Sequence, residues 1–488
     1  MDRPRRMDDL ADELINDILS FLLDSERPSN DNAPANDHDP SHGSNGSPKA
    51  YGEQSELDRF RLVCQRFMRI GTPRKFPRFV LRFSRDGFQR LEDLLSMQLA
   101  GHIRYFTYMV RPFYQGSGWS DFLNGVDSDD LPASHIHKRR FQEQQYIVER
   151  NHDLVLLRRA ISAFSSLQQI KLLRLQDGAD EQVLDHVREQ SLQETVRLDW
   201  EPACTRAVTS LGVSLLESSC TSVGFVGPQM SPEATVRLSQ TPKTALTALG
   251  ARLTSLDVTF HSAKDMETRM GAISDVFHDF FLAAKNLTAI HLGFPAHRPL
   301  DLSLEQIFHH VIWKGLRTLS IQGWRLRSSE LISLIRRHRH QLRDIRLTSI
   351  YLHDDQGQWR DVLAVLHDEM DHLERIDLRE IDYAVHSDSR HVLNSNGNGN
   401  GHNHQYPSIV AHPAPDLSPR HIVLNIDYMF FAPRGHTRRS FTAATLESLQ
   451  KLTADDLGDD GLSVHHEQRV FWEAWVLSSS RNTVHRRF

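Results

Sequence analysis

The sequence predicts an α/β fold, with a helical N-terminal segment followed by a long strand–helix array whose strands form one curved parallel sheet. Three observations carry this. A short apolar motif recurs at intervals of 26–34 residues, and amphipathic helical patterns fill the intervals. The Gly-rich turns GxGxxG and GxxxxGK[ST], which a doubly wound nucleotide-binding fold would need after a strand, do not occur. At 488 residues the chain exceeds one ordinary compact domain, and a repeat array accounts for the length.

The motif is apolar–x–x–apolar–x–apolar. Clear copies are LTSLDV (253–258), LTAIHL (287–292), LRTLSI (316–321), LRDIRL (342–347) and LERIDL (373–378). Weaker copies are IRYFTY (103–108), LQQIKL (167–172), TVRL (195–198) and TSVGF (221–225). The middle apolar residues are Ile170, Val196, Val223, Leu256, Ile290, Leu319, Ile345 and Ile376. Between them, residues 267–285, 302–314, 328–340 and 358–371 carry apolar stripes at helical spacing. Ser328 or Ser329 is placed to cap the third. A unit of one strand and one helix cannot bury its own apolar face, so units must stack.

Four polar stretches interrupt the pattern: 24–56, 115–135, 386–418 and 454–463. They are rich in Ser, Asn, Asp, Gly and Pro and read as insertions or linkers, too poor in apolar surface to offset the entropy of ordering. The apolar run 470–477 reads as part of a C-terminal capping segment, 431–488.

At the N-terminus, Leu10, Leu14, Ile15, Ile18, Leu19 and Leu22 occupy one half of a helix and Asp12, Glu13, Asn16, Asp17 and Ser20 the other. Beyond the acidic insertion, Leu57, Phe60, Val63, Cys64, Phe67 and Met68 form a second stripe. Two such short helices are not stable alone and need each other and a partner.

The segments 10–22 and 57–67, LADELINDILSFL and LDRFRLVCQRF, resemble the two halves of an F-box. Ala11 stands where the family usually has Pro, and the loop between the halves is unusually long. The strand–helix units resemble leucine-rich repeats of the helix-containing kind, without the regular Asn or Cys of that signature. The whole chain looks like the F-box proteins of filamentous fungi. The resemblance implies an F-box over 7–75 and a repeat array over 76–430. It also implies a non-catalytic role as the substrate-recognition subunit of a cullin–RING ubiquitin ligase. The F-box would dock a Skp-family adaptor, and through it a cullin, by Leu10, Leu14, Ile15, Ile18, Leu19, Val63 and Cys64. The repeats would hold an unknown protein target. Which docking residues face the adaptor and which face the neighbouring helix stays open at this level.

Period-two alternation turns Asp257, His291, Ser320, Asp344, Arg346, Arg375, Asp377 and Arg379 away from the core. Arg346, Arg375 and Arg379 are the candidate target contacts, a cationic patch partly offset by Asp344 and Asp377, suited to a carboxylate or phosphate. A plain solvated sheet face is the alternative.

Other chemistry finds little support. The formal net charge is −6, which gives no steering toward nucleic acid or an anionic membrane. The basic, Phe-interleaved stretch 59–90 is compatible with nucleic-acid binding and equally with packing. An interaction scaffold outside any ligase is a further alternative. His309–His310, His367/His372, His402/His404 and His465–His466 lack metal-ligand spacing, so no metal or cofactor is expected. The three cysteines form no CxxC, and no apolar run approaches 18 residues. An intracellular chain, cytoplasmic or nuclear, without a membrane span is expected.

Overall fold

The computed structural model describes residues 10–25, 56–126, 131–230, 242–261, 265–353, 357–386 and 443–479. The protein is α/β. Nine strands lie side by side, all parallel and in chain order. They are β1 (Arg78–Arg82), β2 (Tyr105–Val110), β4 (Gln169–Arg174), β6 (Val223–Met230), β7 (Leu253–Phe260), β8 (Ala289–Gly293), β10 (Thr318–Leu326), β11 (Asp344–Leu352) and β12 (Arg375–Arg379). Two short strands complete this sheet of eleven: β9 (Leu300–Asp301) pairs with β10 and β13 (Asp382–Tyr383) with β11. A separate antiparallel pair is formed by β3 (Phe113–Gln115) and β5 (Arg197–Asp199).

One row of residues crosses the sheet in register: Phe79, Phe106, Ile170, Phe225, Leu256, Ile290, Leu319, Ile345 and Ile376. Six of the eight sequence markers are in it. Val223 is not: it pairs with Leu253, ahead of a one-residue register step, and Phe225 takes the place opposite Leu256. Val196 lies off the main sheet altogether, immediately before β5. Its side chain packs with Tyr114, Trp119, Phe122, Val183 and Val187 in a small core of its own. The regular period therefore fails between β2 and β6, where helical insertions lengthen the connections.

The backbone turns at the same level within β10, within β11 and just after β12. Gly323, Ser349 and Glu380 all have left-handed backbone, with φ of 67°, 51° and 52°. Each follows its row marker by four residues. At Gly323 a Cβ would stand 2.2 Å from the Phe294 carbonyl oxygen, so only glycine fits. At the next two positions Ser349 donates to the Glu380 carboxylate at 2.6 Å.

Helices Ser328–Arg337 and Trp359–Asp368 bury Leu331, Leu334, Ile335, Val362, Leu363 and Leu366 against the sheet, as their stripes predict. Ser328 is not the cap; it is the first helical residue, and the Arg327 N–H is instead satisfied by Glu330 at 3.2 Å. The stripe at 302–314 yields only one turn, Glu305–Phe308, because His309 and His310 enter left-handed backbone (φ 49° and 55°). The stripe at 267–285 breaks at Ile273 into Met266–Ala272 and Ser274–Ala283.

Two stretches expected as loops are structured. Within 115–135, Trp119–Gly125 is a helix whose Trp119, Phe122 and Leu123 are buried together, an i, i+3, i+4 set hidden among polar neighbours. In 454–463, Asp459 accepts from the Tyr383 hydroxyl at 2.7 Å and from the Arg360 N–H at 2.8 Å. This turn is thereby fastened to the last units. Most of the insertions at 24–56 and 386–418, and residues 431–442, lie outside the described residues. Beyond them, the helix His466–Leu477 lies against β12, and Glu473 accepts the Leu378 N–H at 2.7 Å. No helix among the described residues is long and apolar enough to cross a membrane.

Candidate docking surface

Three helices precede the sheet: α1 (Asp12–Ser25), α2 (Glu56–Val63) and α3 (Gln65–Lys75). Their apolar stripes converge on a small core of Ile15, Leu19, Leu57, Phe67 and Ile70, with Leu10, Phe60 and Cys64 at its margin. Phe60 stacks on Phe67 at 4.6 Å between ring centroids. Cys64 interrupts α2 and α3 as an N-cap, its sulfur accepting the Phe67 N–H at 3.4 Å. Its role is thus local.

Polar clasps tie α1 to α3. Arg66 donates to the Asp12 carboxylate at 2.7 Å and to the Leu10 carbonyl at 2.6 Å. Arg69 reaches the other Asp12 oxygen at 2.8 Å, and Arg74 the Asn16 carbonyl at 2.8 Å. The Arg66 hydrogen bond, opposed by desolvation and helped by the Arg66 and Arg69 charges, holds the Asp12 carboxyl below its ordinary value. Asp58 pairs with Arg61 and Lys75.

This packing divides the seven predicted docking residues. Ile15 and Leu19 are buried inside the trio, so they build it. Leu14, Ile18 and Val63 are turned out, 51%, 38% and 65% exposed. Leu10 and Cys64 are half-buried. Two further exposed apolar residues, Leu62 and Met68, were not among the seven. Of thirteen exposed large apolar side chains among the described residues, five sit on these three short helices. Nothing else in the described protein concentrates apolar surface this way.

The outward face of the sheet carries a second candidate. The row one residue beyond the core row runs Lys171, Val226, Asp257, His291, Ser320, Arg346 and Asp377. Arg346, Arg375 and Arg379 share this face, as alternation requires. They do not form a free cationic patch. Arg346 grips Asp344 with two nitrogens at 3.2 and 2.7 Å, and Arg379 pairs with Asp377 at 2.9 Å. Arg375 stands 4.0 Å from Asp344. Because a neighbour two residues away carries the opposite charge, the face is a chequer of signs. Ser320 is covered, its hydroxyl 2.7 Å from His291 Nδ1. Burial pushes the His291 imidazole below its ordinary value, with Asp257 opposing and Arg346 assisting.

In the basic stretch 59–90, Phe79 stacks on Phe106, Phe83 packs tilted against Phe113, and Phe88 is buried. These rings are committed to packing rather than displayed for bases. Among the described residues no cluster of three His, Cys, Asp or Glu could hold a metal. His367 stacks on Trp475 at 4.2 Å and His309 bonds to Ser274, while His402 and His404 lie outside the described residues. No protein-family model matches the sequence, and the search of characterised proteins returns no match to it.

Proposed function

We propose that this chain is the substrate-recognition subunit of a cullin–RING ubiquitin ligase, working inside the cell. In this reading α1–α3 are an F-box that docks a Skp-family adaptor, and the parallel sheet is the inner face of a curved leucine-rich-repeat-like solenoid that holds a protein target. The observation that carries it is the apolar surface left on the helical trio, with Leu14, Ile18, Leu62, Val63 and Met68 exposed although the same helices already share a core. The chain-order parallel sheet, with one polar face, suits the target-holding half. The chequered charges around Arg346, Arg375 and Arg379 favour a partner that matches both signs over a purely anionic one. The ligase's chemistry resides on other subunits, and this chain acts by raising the local concentration of the target.

The test is capture of a purified Skp-family adaptor by the full chain. Leu14→Asp with Ile18→Asp changes only exposed positions, so folding should persist. Burying each wild-type residue in an interface is worth about 1.5–3 kcal/mol, so the pair should weaken capture by roughly a hundredfold or more. A double variant that binds the adaptor at wild-type strength overturns the F-box reading. If wild-type capture brings the adaptor but never a cullin, the chain is a scaffold outside the ligase.

A further inference from the structure

Behind β6 and β7, the helices Trp200–Glu217, Lys243–Arg252 and Ser274–Ala283 leave a cavity of about 180 Å³. Its walls are apolar, with Leu211, Leu246, Leu249, Leu256 and Phe277 among them. Packing is looser here than elsewhere. Leu253, Leu256 and Phe277 keep 6%, 7% and 9% exposure, whereas Leu319, Ile345, Leu334 and Leu363 in later units have none. An apolar cavity of about 150 Å³ stays dry and takes a benzene-sized guest.

Only two polar residues line the space, Thr209 and Arg252, and Thr209 is exposed. One terminal nitrogen of Arg252 donates to the Leu216 carbonyl at 3.1 Å. The other, Nη1, is buried and has no hydrogen-bond partner among the described residues. A buried guanidinium N–H without an acceptor is rare in a folded protein. A carboxylate satisfies such a donor with a charge-assisted bond. A phosphate ester would ask for more donors than one arginine supplies here.

We propose that this cavity binds a small carboxylic acid, its apolar tail of roughly six to eight carbons among the leucines and its carboxylate on Arg252. The site stands apart from the docking helices and from the outward sheet face, and it does not depend on the ligase reading.

The experiment is calorimetric titration of the full chain with octanoate and, separately, octanol. Two variants accompany it. Arg252→Met removes the donor and keeps the bulk. Gly212→Leu fills the space: Gly212 lines the cavity in the middle of its helix, and a Cβ there meets only Leu249, at 3.6 Å. Leucine is also a better helix former than glycine, so the fold should survive, with circular dichroism as the check. Octanoate should bind one per chain, at least tenfold more tightly than octanol. Arg252→Met should bring octanoate down to the level of octanol, and folded Gly212→Leu should bind neither. The proposal is overturned if octanoate gives no binding heat with the wild-type chain, if octanol binds as well as octanoate, or if Arg252→Met leaves that preference unchanged.

Discussion

His338 offers a direct test of the packing between units. It ends the helix Ser328–Arg337 and is fully buried, stacked on Trp313 at 5.5 Å between centroids. Its Nδ1 lies 3.1 Å from the Leu334 carbonyl, and its Nε2 accepts the Trp313 N–H at 3.2 Å. Both contacts are met only by the neutral ring protonated on Nδ1. A proton on Nε2 would face another donor. Burial accordingly pushes the imidazole down to about 4. The unfolded value is about 6.5, so the unfolded chain holds the proton more tightly. The contribution of His338 is therefore intact above about pH 6.5 and is lost as pH falls toward 4. Between pH 7.5 and pH 5 the loss is about 2 kcal/mol. His338→Leu removes this term and leaves the Trp313 N–H without an acceptor, a cost of about 1–3 kcal/mol that does not vary with pH. Urea unfolding followed by tryptophan emission, at both pH values and on both proteins, reads the difference. The wild type should lose about 2 kcal/mol more than the variant on acidification. Equal losses would refute the assignment of a neutral, doubly bonded ring.

Three further outcomes are expected. Asp180 is almost fully buried between Arg111 (2.7 Å) and Arg140 (2.8 Å), and Asp177 binds the same two guanidinium groups, so Asp180→Ala should take one of two carboxylates from each and cost about 1–3 kcal/mol, seen as early proteolysis of the 113–199 region. Ile15→Ala should loosen the helical trio by about 2–5 kcal/mol, while Leu14→Ala should change stability by no more than about 0.5 kcal/mol, measured by thermal unfolding. Gly323→Ala should destabilise by well over the ~1 kcal/mol usual for a left-handed position, because its Cβ would meet the Phe294 carbonyl oxygen at 2.2 Å; chemical unfolding against wild type measures it.

The sheet was legible wherever a strand keeps the apolar–x–x–apolar–x–apolar pattern at a steady interval. From Leu256 to Ile376 every marker falls in register. Before that, two things hid it. TVRL has the letters of a strand but pairs antiparallel with β3, since local pattern is blind to which sheet a strand joins. β1, with Arg78 and Arg82 around Phe79 and Val80, reads as basic before it reads as strand. The docking set was legible as a stripe and no further. Leu14 and Ile15 are adjacent letters of one apolar face, and only the arrival of Phe67 and Ile70 decides which is core and which is surface. The sequence showed Asp344 and Asp377 only as a partial offset to the arginines, and the direct Asp344–Arg346 pairing goes further for a related reason. Residues two apart on a strand share a face, and counting charges by sign overlooks that neighbours on that face neutralise each other.

The buried carboxylate of Glu473 has a consequence for self-association. A parallel sheet ends in a row of unsatisfied N–H and C=O groups, a template on which a second molecule can stack its own first strand. Head-to-tail stacking of this kind is open-ended and builds filaments. By taking the Leu378 N–H, and by laying a helix along β12, the chain blocks the growing end with a side chain that no strand can displace cheaply. Glu473→Leu would leave that amide bare under an apolar helix. The first sign of its loss would then be an increase in light scattering with concentration, ahead of any change in melting temperature.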